Sequence, residues 1–190
     1  MVAPVSFVPD ADLVTRIRAG DEPAFEALFR EHYTKLCVFA ARLIGSDAAA
    51  EEIVQDVLLS IWRRHEQWDV PGTVASYLYA AVRNRAFNQL RDERQRRHKR
   101  AQLTQELTIL GQDANRIEAD DVVRSEELAR AIARAIEELP PRCREAFLLR
   151  RQHNLSYAEI ARVMQIAPKT VEIQIGAAYK SLRKKLAEWM

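Results

Sequence analysis

The 190-residue sequence is poor in glycine, cysteine and aromatic residues, and it lacks long apolar runs. It holds five glycines, two cysteines and 7% aromatic residues, whereas apolar residues make up 48% and charged residues 29%. This balance is typical of a globular helical protein and not of a disordered or collagen-like one. No apolar run reaches the ~18 residues of a membrane span, and no signal-peptide pattern opens the chain. We therefore expect a cytoplasmic protein without membrane insertion.

The cysteines and histidines show none of the spacings that bind metals or support catalysis. Cys37 and Cys143 lie far apart within apolar helical patterns, which predicts two buried free thiols. The sequence contains no HExxH, no glycine-rich phosphate loop and no GxSxG motif. We therefore expect a protein that is not an enzyme and has no cofactor and no metal.

The charges are sorted along the chain in a way that the net charge of +2 conceals. Basic residues outnumber acidic ones over residues 83–100 and again over 142–185, whereas residues 106–127 are acidic. Two basic blocks thus flank an acidic connector, and this distribution says more about possible partners than the total does.

Apolar periodicity and end signals predict two helices in the first part of the chain. Asp10 can cap a short helix that ends near Gly20. Asp21 and Pro23 then start a second, amphipathic helix, and Gly45 stops it.

Two further helices follow and complete a predicted four-helix unit. Asp47 is placed to cap the third helix, whose apolar stripe covers residues 53–62. Pro and Gly within residues 68–72 break the periodicity, and a fourth helical stripe then runs from Tyr77 towards Arg100. We assign residues 1–20 to an N-terminal helix or extension and residues 21–100 to the first domain.

The next segment predicts a linker and a second compact domain. Residues 101–124 include glycine and several acids without a sustained apolar period, which favours a flexible linker. Helical patterns resume over residues 125–190. The predicted fold is therefore all-α, with two small helical domains joined by a flexible linker.

A helix-turn-helix pattern lies near the end of the chain. Ser156 and Glu159 form a capping box at the start of one helix, residues 165–167 interrupt it, and Pro168 suits the first position of the next helix. Two short helices joined by a tight turn, with basic residues from Lys180 onwards, match the motif that enters the DNA major groove.

The first turns of the second helix of this motif carry the candidates for reading bases. If the apolar stripe of that helix faces inward, the outward side chains can reach base edges or phosphates. The base-reading candidates are Lys169, Thr170, Glu172, Ile173 and Gln174. Lys169 and Arg162 are the better candidates for phosphate contacts, and a solvated helix face is the alternative interpretation.

The first basic block suggests a second nucleic-acid surface. Arg83, Asn84 and Arg85 begin a run of cations that continues to Arg100, shortly after a turn that carries Trp68. Aromatic and cationic groups together suit single-stranded DNA. A solvated charged helix explains the same run equally well.

These segments together resemble the extracytoplasmic-function (ECF) group of the sigma-70 family. The similarity is carried by residues 47–62, 76–91 and 139–147, and by the motif segments at 156–161 and 169–172. It implies a sigma factor that directs core RNA polymerase to promoters, with promoter DNA and an anti-sigma factor as further partners.

The resemblance also implies roles for individual residues of the first domain, which corresponds to sigma region 2. Glu52, Gln55 and Asp56 would dock on the β′ clamp of the polymerase. Residues 68–73 would capture a flipped minus-ten base. The implied minus-ten DNA contacts are Trp68, Asp69, Asn84, Arg85 and Arg91.

The second domain resembles sigma region 4, which reads the minus-35 element and rests on the β flap of the polymerase. The implied DNA contacts are Arg162, Lys169, Thr170, Glu172, Ile173, Gln174 and Lys180. The sequence departs from the family pattern at Ala167, where a capping serine is common, and at Ile173 and Ala177, where many relatives carry basic residues.

Two other functions fit part of the pattern. A stand-alone helix-turn-helix repressor or activator would dimerise through its N-terminal helices and bind a two-fold operator without polymerase. An adaptor or anti-sigma mimic would use the basic segments to bind acidic partners instead of DNA.

Overall fold

A computed structural model of the protein describes the backbone of residues 10–103 and 125–187, with side chains for 10–96 and 127–187. Every regular element in these ranges is helical, which confirms the predicted all-α fold. The α-helices are α1 (Asp10–Arg18), α2 (Glu22–Ile44), α3 (Asp47–Arg63), α4 (Val74–Leu103), α5 (Ser125–Glu137), α6 (Pro141–Arg151), α7 (Tyr157–Met164) and α8 (Pro168–Lys185), and a 3-10 helix covers His65–Gln67. The linker predicted at residues 101–124 lies almost entirely outside the described residues.

The ends of α2 follow the predicted signals, whereas the cap of α3 differs by one residue. The Asp21 carboxylate accepts a hydrogen bond from the amide of Ala24, and Gly45 ends α2 with a left-handed φ of 75°. The cap of α3 is Ser46, whose extended backbone lets its hydroxyl accept from the amide of Ala49. The prediction for Asp47 is therefore wrong: this residue is already helical, and its charge favours the positive end of the helix dipole.

Asp10 has a long-range role instead of the predicted local one. It is the first residue of α1, not its cap. Its Oδ2 accepts a hydrogen bond of 2.8 Å from the amide of Val74, the first residue of α4. The carboxylate thus satisfies one of the amides that a helix start leaves without an intrahelical partner.

The two halves of the chain share one apolar core. α2, α3 and α4 pack against one another, and α7 packs on α4. One cluster of buried side chains joins both halves and includes Leu28, Val54, Leu78, Leu149, Ile160 and Ile175. A smaller cluster within the second half includes Leu139, Phe147, Leu148 and Leu182. The predicted domains therefore meet through a packed interface in this conformation.

Both cysteines are free thiols, as predicted, but they are half-buried and not fully buried. Cys37 and Cys143 each pack at the edge of an apolar cluster. Burial raises the pKa of the Cys37 thiol, which keeps it in the protonated, less reactive form.

Candidate nucleic-acid and polymerase interface

α7 and α8 form the predicted helix-turn-helix motif. The Ser156 hydroxyl accepts from the Glu159 amide at 3.3 Å, and the Glu159 carboxylate accepts from the Ser156 amide at 2.7 Å. This completes the predicted capping box. Gln165 turns the chain in the left-handed region at φ 56°, and Pro168 begins α8. The turn therefore lies at residues 165–167, as the sequence pattern predicts.

α8 buries one face and presents the candidate reading residues on the other. The buried face consists of Val171, Ile175, Ala178 and Leu182. Lys169, Glu172, Ile173 and Lys180 are exposed, and Ile173 keeps 63% of its surface in solvent. An apolar side chain so exposed at the start of a recognition helix can contact a thymine methyl group. The individual contacts with DNA stay predictions.

Three of the candidate residues of α8 are already engaged or partly covered. Lys169 Nζ lies 2.8 Å from Glu172 Oε2, so the two charges are paired on the helix surface. Thr170 and Gln174 are half-buried. Among the residues described, Gln174 Oε1 is a buried oxygen without a hydrogen-bond partner. A phosphate or base would therefore compete with Glu172 for Lys169.

The candidate polymerase contacts lie together on the solvent face of α3. Glu52, Gln55 and Asp56 are all exposed, while Ile53, Val54 and their apolar neighbours face the core. The 3- and 4-residue spacing places the three polar side chains on one side of the helix. The structure thus brings together the three residues that the resemblance indicated.

A hydrogen-bonded ion pair connects this face to the candidate DNA surface of α4. Arg85 Nη2 donates to Asp56 Oδ2 at 2.7 Å, and both side chains are about half exposed. An ion pair in this setting contributes little to stability. Each residue is therefore available to an external partner at small cost.

The candidate minus-ten residues differ in their exposure to solvent. Asp69, Asn84, Arg85 and Arg91 are exposed. Trp68, by contrast, keeps only 4% of its surface in solvent and packs edge-on against Tyr77, with ring centroids 5.9 Å apart. We expected its indole to face DNA, but in this conformation the indole fills the core beneath the turn. Its contact with a base stays a prediction.

The polar contacts between the two halves of the chain were not predicted from the sequence. Arg83 Nε donates to Glu145 Oε1 at 2.5 Å, and these two residues are only 7% and 6% exposed. The Tyr79 hydroxyl lies 2.6 Å from His153 Nδ1, and the Thr73 hydroxyl donates to Glu159 Oε1 at 2.5 Å. We call this set of contacts the closing interface; its members are Thr73, Tyr79, Arg83, Glu145, His153 and Glu159.

One signal in the sequence points to this interface. Arg83 occupies a position on the buried stripe of α4, between Tyr79 and Ala86. A charged residue on an apolar stripe requires a buried partner, because an unpaired buried charge is costly. The partner, Glu145, lies 62 residues away, and no local pattern identifies it.

The closing interface shifts the pKa values of its ionisable groups. Burial, together with Arg42 and Lys35, lowers the pKa of His153 to about 4, and burial raises the pKa of Tyr79. Burial also acts to raise the pKa of Glu159. Hydrogen bonds from Ser156 and Thr73 outweigh it and leave that pKa below its ordinary value. In this conformation the imidazole of His153 is therefore neutral near pH 7.

The described residues contain neither a candidate membrane-spanning helix nor a candidate metal site. No helix there combines the length and the apolar content needed to cross a bilayer. The same residues contain no group of three or more histidine, cysteine or acidic side chains that could hold a metal ion.

The fold and the site define a helical DNA-binding protein in which a helix-turn-helix half is joined to a half with its own basic helix. The model of Sigma-70 region 2 matches residues 28–97, and that of Sigma-70, region 4 matches residues 129–182. The chain belongs to the sigma-70 family and is an RNA polymerase sigma factor of the ECF subfamily.

The chain is similar over nearly its whole length to characterised sigma factors. RNA polymerase sigma factor CarQ of Myxococcus xanthus is 30% identical over 91% of this chain and 95% of that protein. ECF RNA polymerase sigma factor SigW of Bacillus subtilis is 25% identical over 92% and 95%. The solved structure of CnrH, in complex with the cytosolic domain of CnrY, matches with a TM-score of 0.62 at 25% identity and covers 94% of this chain and 97% of CnrH.

Proposed function

We propose that this sigma factor binds core RNA polymerase through α3 and directs it to promoters by contacts from both halves. Residues 21–100 act as region 2, 125–190 as region 4 and 101–124 as the linker between them, with 1–20 as an N-terminal extension. The observation that carries this proposal is the joint presence of an exposed polar face on α3 and an exposed recognition face on α8.

Region 4 reads duplex DNA at the minus-35 element in this proposal. Lys169, Glu172 and Ile173 stand on the outward side of the first turns of α8, where side chains of a helix-turn-helix reach base edges. Thr170 and Gln174 flank them, and Arg162 and Lys180 contact phosphates, which position the helix.

Region 2 holds the melted minus-ten strand. Asn84, Arg85 and Arg91 lie exposed along α4 and can follow a single strand by hydrogen bonds and charge. Asp69 and Trp68 belong to the loop proposed to receive a flipped base. Strand opening is driven by binding energy, so the chain performs no catalysis of its own and acts where polymerase and promoters are, in the cytoplasm.

An anti-sigma factor is the further partner that we propose. A groove of about 1180 Å³ separates α5 and α6 from the C-terminal end of α2 and the middle of α4, and its lining includes Phe87 and Ile132, which are 42% and 38% exposed. Contiguous apolar surface of this kind can bind a partner protein, and the groove brings these two side chains together. The structure of CnrH in complex with the cytosolic domain of CnrY supports a protein partner for a chain of this fold.

A stand-alone repressor or activator is not favoured. It would use the N-terminal helices only for dimerisation, and it assigns no role to the exposed polar face of α3. The similarity to sigma factors extends over both halves, including α3.

The test is promoter-specific initiation by core polymerase. The purified chain, added to core RNA polymerase of its own organism, should form a complex on size exclusion and give run-off transcripts that start at discrete sites on genomic fragments. Changing Glu52, Gln55 and Asp56 to alanine should weaken both readouts, whereas the exposed residue Glu26 changed to alanine serves as a control on the neighbouring helix. Polymerase-independent binding to a two-fold operator, without a polymerase complex, would support the repressor instead.

A further inference from the structure

The centre of the outward face of α8 is apolar. Val171 and Ile175 are buried, and Ile173 lies two residues from each of them. Two residues correspond to about 200° of rotation at about 3.6 residues per turn, so the side chain of Ile173 points almost directly away from the core. Ile173 keeps 63% of its surface in solvent, more than any other large apolar side chain in the described ranges.

The neighbours of Ile173 on this face have no polar side-chain atoms. Gly176 and Ala177, three and four residues further along the helix, are both exposed. A Cβ atom at Gly176 would meet no atom within 4 Å, so the space above this position is open. Side chains this small let the helix come close to the surface that it faces, and Ile173 extends beyond them. We call these three residues the apolar patch; its side chains offer apolar contact but no hydrogen bond.

The charged residues beside the apolar patch are engaged with each other or lie further along the helix. Lys169 Nζ is 2.8 Å from Glu172 Oε2, so the charges of these two residues offset one another before the patch. Lys180, which is exposed, follows after it. Phosphate contacts are therefore expected towards the end of this face, and base contacts at its apolar centre.

The composition of the apolar patch limits the base that it can recognise. In the major groove every base pair presents hydrogen-bonding groups, and thymine alone adds an apolar one, the methyl group on C5. The side chains of the patch cannot bond to the polar groups of a base edge, but they gain free energy by removing a methyl group from water. Cytosine that is methylated at C5 presents the same methyl group at the same ring position.

We propose that Ile173 is a specificity-determining residue, which reads the C5 methyl group of a pyrimidine in the minus-35 element. The pyrimidine is thymine or 5-methylcytosine, and the second makes promoter recognition sensitive to cytosine methylation. This inference rests on the proposed function, because it takes α8 as the helix that enters the major groove. It goes beyond that function by naming the chemical group that is recognised.

Deoxyuridine tests this inference, because it differs from thymidine only in lacking the C5 methyl group. The holoenzyme, formed from the full chain and core polymerase, is bound to synthetic copies of a promoter whose minus-35 element lies upstream of a mapped, discrete start site. Each thymine of that element is replaced by uracil, one at a time and on either strand. Loss of the contact should weaken binding about fourfold at one position, which is the effect expected for one methyl group removed from water.

Two variants link this effect to Ile173. Ile173→Ala removes the side-chain atoms that contact the methyl group and should bind the thymine and uracil promoters equally. Ile173→Val keeps a branched apolar side chain and should retain most of the discrimination. Val38→Ala shortens another exposed apolar side chain, on α2, and is the matched control that should discriminate like the unmodified chain. Both positions are exposed, so these variants should fold normally.

Cytosine and 5-methylcytosine at the responsive position distinguish the two sources of the methyl group. Methylation should raise the affinity for the cytosine promoter about fourfold in the unmodified chain and leave it unchanged in Ile173→Ala. A response to uracil without any response to 5-methylcytosine would overturn the sensitivity to methylation.

The outcomes separate this inference from the proposed function. If initiation occurs at discrete sites but no uracil in the minus-35 element changes the affinity, the role of Ile173 is refuted and the sigma function stands. The same conclusion follows if Ile173→Ala keeps the full discrimination. If the chain forms no polymerase complex and gives no discrete start, the proposed function fails, and this inference fails with it.

Discussion

The two helices of the helix-turn-helix motif differ in what they contact. α8 makes its main helix–helix contacts with α5, α6 and α7 of its own half and leaves Lys169, Glu172 and Ile173 in solvent. α7 packs on α8 but also on α4, with Glu159 bonded to Thr73. The motif thus has one helix ready for an external partner and one helix engaged inside the molecule.

This difference shows that a binding motif can be complete in geometry while only half accessible. The recognition face of α8 does not depend on the arrangement of the two halves, whereas the surface of α7 does. Three predictions can break or sharpen this comparison, in decreasing order of expected effect.

The largest effect should come from the core that the two halves share. Leu149 is fully buried in the shared cluster, so Leu149→Ala should lower the free energy of unfolding by about 2–5 kcal/mol and affect both halves. Leu182 lies in the smaller cluster of the second half, and Leu182→Ala should affect mainly that half. In a Trp189→Phe background, tryptophan fluorescence reports only Trp62 and Trp68 of the first half.

Thermal unfolding followed by this fluorescence distinguishes the two variants. The transition should shift to lower temperature for Leu149→Ala and change little for Leu182→Ala, while far-UV circular dichroism detects both. An unshifted fluorescence transition in Leu149→Ala would mean that the halves unfold independently.

Acidification should weaken the closing interface through His153. The pKa of His153 is about 4 while its ring is buried in this interface, below the ordinary 6.5 that it regains when solvated, so protonation favours separation of the two halves. The interface is therefore most stable above about pH 6.5 and weakens as the pH falls towards 4, by at most tenfold per pH unit. The groups that face the imidazole are Tyr79, Arg42 and Lys35; the two cations add to the effect of burial.

The radius of gyration measured between pH 8 and pH 5 checks this prediction. It should rise on acidification in the unmodified chain and stay flat in His153→Gln. His32, whose pKa burial also lowers, titrates in both proteins, so the comparison isolates His153. A rise of equal size in His153→Gln would assign the effect to another group.

The smallest effect concerns phosphate contacts in the absence of polymerase. Lys180→Ala should reduce the salt dependence of duplex binding by about 0.9 in the slope of log affinity against log salt, which corresponds to one phosphate contact. Arg162→Ala should change the slope by less, because Arg162 lies against Gly72 of the first half. Fluorescence anisotropy of a labelled duplex at several salt concentrations measures both slopes, and an equal change for Arg162→Ala and Lys180→Ala would contradict the comparison.

Local features of the fold were predictable because they depend on neighbouring residues. The stop at Gly45, the capping box of Ser156 and the start of α8 at Pro168 each follow from backbone preference or from hydrogen bonds a few residues apart. The exceptions show the same principle. Ser46 replaces Asp47 as the cap one residue earlier, and Asp10 bonds to Val74 because tertiary packing brings α1 to the start of α4.

The sequence predicts the two candidate surfaces separately. It does not predict the interface that joins the two halves of the chain. Periodicity places Glu52, Gln55 and Asp56 on one face, since this requires only helical geometry. It does not show which face of α4 receives the second half, so the pairing of Arg83 with Glu145 was missed. For the same reason Trp68 was expected to face DNA, whereas tertiary contacts bury it.

Glu159 serves both the local fold of α7 and the contact between the two halves. One carboxylate oxygen caps α7 by accepting from Ser156, and the other accepts from Thr73 across the two halves. When the halves part, only the second bond is lost, and the start of the helix keeps its cap. The motif therefore keeps its own structure whether or not it touches the first half, and a substitution of Glu159 would disturb both the start of α7 and the contact between the halves.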